Sequence, residues 1–210
     1  MYDKIKHVKI VLIGETGVGK TSIISSYTKN EFSNEVPSSL TASFAMKETD
    51  LTLDDKTIQF DIWDTAGQEL FRAVNKIFYA DANIVILVYD VTNKNSFLEL
   101  KNYWYNQILN NGEKNVIFGI AGNKSDLYHN EDINEEEVRK WANEIKGVFY
   151  LTSAKNKNGI YELFNELGKK YIDKEFQNNL KISGEKNVVK ITDENLSPKK
   201  KKMLLLKNKY

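Results

Sequence analysis

Apolar positions along the chain gather into six short runs, at residues 7–13, 44–53, 57–63, 84–90, 116–122 and 147–151, each closed by polar residues or glycine. Runs of this length bounded by turn residues predict strands, and the segments between them carry helical spacing instead. Helices are expected to open at Lys20, to cover 96–109, to start behind Asn134 and lead to Lys146, and to run from about 159 to 175. In the last of these Ile160, Leu163, Phe164, Leu167 and Tyr171 share one face. Asn134 with Glu137 three residues on reads as a capping box, and Glu135 and Glu136 suit the positive end of the helix dipole. Asp54-Asp55 joins the second and third strands into a hairpin, while the other strands alternate with helices. The order predicts an α/β fold: a mostly parallel six-stranded sheet with one antiparallel edge strand and helices on both faces. Tyr103, Trp104 and Tyr105 on the 96–109 helix are read as packing residues, and the isolated His7 and His129 as no metal site.

Chemistry concentrates where the strands end. Gly14-Glu15-Thr16-Gly17-Val18-Gly19-Lys20-Thr21 follows the first run directly and has the form G-x-x-x-x-G-K-[ST]. Its glycines let successive backbone N–H groups turn inward around a polyphosphate, and the following helix adds the positive end of its dipole. Lys20 then neutralises the β and γ phosphates and Thr21 offers its hydroxyl to Mg²⁺. Asp64-Thr65-Ala66-Gly67-Gln68 ends the third run, where a carboxylate can reach the metal through water and a glycine amide can touch the terminal phosphate. Asn123-Lys124-Ser125-Asp126 ends the fifth. Guanine presents two adjacent donors that the Asp126 carboxylate can accept together, and adenine presents no such pair. Thr152-Ser153-Ala154-Lys155 ends the sixth and brings a backbone N–H near the base edge. Ligands of open α/β sheets bind at the carboxyl ends of the strands, so four such segments in this order point to GTP and GDP.

On these motifs, over about residues 6–176, the chain resembles the small GTPases of the Ras superfamily, with the P-loop NTPase G-domain fold, and in detail the endosomal Rabs. The Rab likeness rests on Ile62 to Glu69 (IWDTAGQE) and Ser39 to Phe44 (SLTASF). The resemblance implies that Ser22 too binds the nucleotide, with Phe32 stacked on guanine and Asn123, Lys124, Asp126, Ser153, Ala154 and Lys155 around the base. It implies Mg²⁺ held by Thr21, Ser39 and Asp64, and Gln68 orienting the attacking water. Phe44, Trp63 and Phe78 match the family's effector-contacting aromatics, and an exchange factor, an activating protein and effectors in vesicle traffic are the implied partners. Three positions depart from the pattern: Ser39 replaces the usual threonine, Leu70 replaces an arginine and Thr16 stands where Ras has glycine. Ser39 and Leu70 support the alternative of a GTP-bound, non-hydrolysing scaffold, while Gln68 favours hydrolysis.

Charge changes the picture at one end. Residues 177–210 hold nine lysines and three acids, a balance of +6, which leaves −5 for residues 1–176 in a chain of net charge +1. A globular domain over 1–176 and a basic tail over 177–210 are therefore expected. Lys199 to Lys202 followed by Met203 to Leu206 pairs basic and apolar signals for an anionic membrane surface. Nucleic acid is not expected, because no aromatics interleave these lysines and the domain is acidic. No cysteine is present, which excludes disulfides, prenylation and palmitoylation within these residues. With no apolar run near the roughly 20 residues of a membrane span, and no secretory signal read before Lys6, the expected location is cytoplasmic, peripheral on endosomal or other vesicle membranes.

Overall fold

The computed structural model describes residues 5–33, 43–65, 80–110, 115–130 and 132–186. In chain order they form β1 (Ile5–Ile13), α1 (Lys20–Lys29), β2 (Ser43–Leu53), β3 (Lys56–Asp64) and β4 (Ile84–Asp90). Helix α2 follows, made of Lys94–Glu99, a π-helical turn Leu100–Trp104 and Tyr105–Asn110. After it come β5 (Ile117–Asn123), a short 3₁₀ stretch Ser125–Asn130, α3 (Glu135–Glu144), β6 (Val148–Leu151) and α4 (Ile160–Lys186). The six strands make one sheet in the order β2-β3-β1-β4-β5-β6, with β2 antiparallel to β3 and every other pairing parallel. This is the architecture expected from the strand spacing.

Side-chain alternation divides the core between the two faces. From β1, Val8, Ile10 and Leu12 join Ile23, Phe60, Ile86, Leu163, Phe164 and Leu167 on one face, while Val11 and Ile13 join Leu87, Leu100, Trp104, Val138 and Trp141 on the other. Strands β4 and β5 are buried along their whole length, as central parallel strands covered by helices must be. The hairpin between β2 and β3 turns on Asp54 and Asp55, whose φ values of 51° and 62° suit the twist of the flanking strands.

Two helix boundaries and one cap partner depart from the sequence expectation, each for a local reason. Helix α2 opens at Lys94 because the Asn93 side chain accepts from Ser96 N, two residues before the apolar spacing begins. At α3 the Asn134 side chain accepts from Glu136 N at 2.9 Å, so the cap acts on that amide and not on Glu137. Helix α4 continues to Lys186 because no glycine or proline interrupts it between Tyr171 and Gly184; the change of charge near Phe176 does not end it. Met1–Asp173 form the compact unit that holds the sheet, and Lys174–Tyr210 a second unit, described through Lys186 as helix. Among the described residues no helix is long and apolar enough to cross a membrane.

Candidate functional site

Because β1, β3, β5 and β6 run parallel, the four segments that follow them emerge at one edge of the sheet. The loop after β1 is shaped by close approaches that only glycine permits. A Cβ on Gly14 would lie 2.2 Å from the Val88 carbonyl oxygen, and Gly19, at φ 94°, would place one 2.3 Å from Asn123 Nδ2. Gly19 then caps α1, whose first turn contains no acidic side chain, so the positive end of its dipole faces the loop. Glu15 is half-buried, Thr16 and Gly17 are exposed, Val18 is buried, and Ser22 lies half-buried in the first turn of α1.

Lys20 is 5% exposed and folds back over the loop, donating from Nζ to Gly14 O at 2.8 Å and to Glu15 O at 2.9 Å. Burial lowers its ammonium to about 8, against the opposing attraction of Asp64 and Glu15. A desolvated cation held by two carbonyl oxygens at a helix N-terminus is a fit for an anionic phosphate. Next to it Thr21 Oγ1 donates to Asp64 Oδ2 at 2.6 Å, across 43 residues, and Asp64 is fully buried. These hard oxygen donors have the chemistry Mg²⁺ prefers.

Asn123 ties three segments together. Its Nδ2 donates to Val18 O at 2.9 Å, and its Oδ1 accepts from Ala154 N at 3.3 Å and Thr152 Oγ1 at 3.4 Å. Asn123 and the Ala154 amide thus bond each other here. Lys124, at φ 66°, makes a 2.6 Å ion pair with Asp90. Asp126 accepts from the buried hydroxyl of Ser153 at 2.6 Å, and Asn156 N donates to that hydroxyl at 3.0 Å. Lys155 is exposed. Phe32 lies just past α1 and is 37% exposed.

On the outer part of the sheet Phe44 packs against Trp63 with ring centroids 4.9 Å apart, and Lys9 Nζ lies 5.6 Å from the Trp63 ring. Phe44 is exposed, as is Met46, which sits two residues on along the same face of β2. Ser39, Gly67, Gln68, Leu70 and Phe78 lie outside the described residues.

Several supporting residues escaped the sequence reading. Asp90 pairs with Lys124, Thr65 Oγ1 donates to Leu12 O at 2.7 Å, and Trp104 Nε1 donates to Glu15 Oε1 at 2.9 Å. Their partners are far away in sequence, and only the tertiary structure, through sheet register and the packing of α2, brings them together.

The family model of the Ras family matches residues 9–173, from within β1 through the loop and the other five strands to about the middle of α4. The chain belongs to the Ras family. Within it the similarity is to Rabs: it is 41% identical over 165 residues to Ras-related protein Rab-21 of Mus musculus, covering 79% of this chain and 73% of that protein. To Ras-related protein Rab-22A of Homo sapiens it is 37% identical over 166 residues, covering 79% and 84%. This Rab is a GTPase, a guanine-nucleotide-binding switch in membrane traffic.

Proposed function

We propose that this Rab cycles between GTP and GDP with Mg²⁺ at the carboxyl edge of the sheet, hydrolyses GTP slowly, and recruits effectors on endosomal or other vesicle membranes while GTP is bound. The observation that carries the reading is the convergence at that edge of Lys20, the Thr21–Asp64 pair and the Ser153–Asp126 pair. Lys20 and the loop amides bind the phosphates, and Asp126, held by Ser153, reads the guanine edge. Thr21, Ser39 and Asp64 hold the metal, which when bound withdraws charge from the β and γ phosphates. Gln68 orients the water for in-line attack, and Ser39 and Gly67 contact the γ-phosphate, so its departure releases the segments around them. Phe44, Trp63 and Phe78 form the effector contact, with residues 1–176 as the G domain.

Single-turnover hydrolysis tests the catalytic part. Wild type converts bound GTP to GDP, and Gln68→Leu keeps nucleotide but slows the step by about 10- to 100-fold, the cost of a misplaced nucleophile. Equal rates for the two proteins would remove Gln68 from the mechanism. The tail, residues 177–210, is assigned to weak membrane contact through Lys199 to Lys202 and Met203 to Leu206, each lysine contributing about 1 kcal/mol at an anionic surface. In liposome sedimentation the full-length chain is expected to bind anionic vesicles, to lose binding as salt rises, and to lose it when the four lysines become glutamine. Binding indifferent to both would assign recruitment to a protein partner.

A further inference from the structure

Glu15 is the second residue of the phosphate loop, and its two ends are gripped from opposite sides. Its carbonyl oxygen accepts from Lys20 Nζ at 2.9 Å, while its carboxylate Oε1 accepts from the indole Nε1 of Trp104 at 2.9 Å, a residue 89 positions later. Trp104 is 2% exposed and packed in the core cluster that contains Ile13, the residue directly before the loop. It closes the π-helical turn of α2, where Tyr105 N–H reaches back to Leu100 O. Such turns are rare and are frequently found at functional sites. An indole can only donate, so its partner must be an acceptor, and a carboxylate makes the stronger charge-assisted bond. A carboxylate beside a polyphosphate site is repelled by it, and a donor on its far side fixes it in the orientation away from the phosphates.

We propose that Trp104 is a positioning residue for nucleotide binding: its indole N–H fixes the Glu15 carboxylate, and through the Glu15 backbone sets the carbonyl that holds Lys20 in the phosphate loop. The inference rests on the phosphate-loop reading above. It gives α2 control over how long nucleotide stays bound.

Release of a fluorescent GDP analogue from the full-length chain, measured for wild type, Trp104→Phe, Glu15→Ala and the double variant, tests it. Phenylalanine keeps the aromatic packing and removes the donor. Release from Trp104→Phe is expected to be about tenfold faster, the effect of one charge-assisted hydrogen bond. In the Glu15→Ala background the same substitution changes nothing, whereas a purely structural loss of packing would accelerate release equally in both. Nitrogen-15 NMR gives a readout independent of binding: Glu15→Ala should shift the Trp104 indole resonance and leave those of Trp63 and Trp141 in place. An unmoved Trp104 resonance, or equal acceleration in both backgrounds, overturns the proposal. Failure of the wild-type chain to bind the GDP analogue would instead overturn the phosphate-loop reading on which it stands.

Discussion

Lys20→Ala is expected to lower the affinity for both GDP and GTP by at least about two orders of magnitude while the protein still folds. The Nζ is held inside the loop by Gly14 O and Glu15 O and is nearly inaccessible to water, so the substitution removes a cation already placed in the loop. Each hydrogen bond from such a cation to a phosphate oxygen contributes roughly 1.5–3 kcal/mol, and two of them correspond to a factor of about 10² to 10⁴. The nucleotide-free fold loses little. Alanine removes a cation that burial disfavours, which offsets the two carbonyl oxygens left without this donor. Titration with a fluorescent GDP analogue reads the affinity, and thermal unfolding with and without GDP reads the linkage. GDP should raise the melting temperature of wild type and leave that of the variant unchanged. A variant that still gains thermal stability from micromolar GDP would remove Lys20 from the phosphate site.

The second large effect concerns the base. Asp126→Asn should weaken guanine nucleotides by about 10² to 10³-fold and strengthen xanthine nucleotides, because the amide presents a donor where the carboxylate presented an acceptor. Guanine offers a ring N–H and an exocyclic amine; xanthine carries a carbonyl in place of the amine and so matches the amide. Ser153 can still donate to the remaining carbonyl oxygen at this position, so the loop keeps its anchor and the change stays confined to recognition. Competition between GDP and xanthosine diphosphate for the two proteins measures the switch. If Asp126→Asn left the preference ratio where it stands in wild type, the base would be read by another residue.

Much of the site was legible in the chain because its parts are contiguous and local backbone chemistry dictates them. Glycines at 14 and 19 fit a loop that approaches Val88 and Asn123 too closely for any Cβ, and that demand appears directly as spacing. Six apolar runs with one short Asp-Asp turn likewise imply one hairpin and otherwise parallel strands, since parallel neighbours need a crossover. The helix ends were less legible. Caps made by Asn93 and Asn134 depend on which amide the side chain reaches, and the apolar period of α4 stops well before its hydrogen bonding does.

By itself the sequence determined the α/β order, the position at a strand end of each segment proposed to face the nucleotide, and the residue types proposed to meet phosphate and base. The tertiary structure decided which distant groups hold those residues in place. Sheet register sets Asp90 opposite Asn123 and so beside Lys124, and it sets Leu12 opposite Asp64, bringing Thr65 onto Leu12 O. Trp104 reaches Glu15 only because α2 packs over the end of β1. Hydrogen bonds of this kind are short-ranged and directional, so they exist only once long-range packing has brought donor and acceptor within about 3 Å. No pattern along the chain encodes that distance.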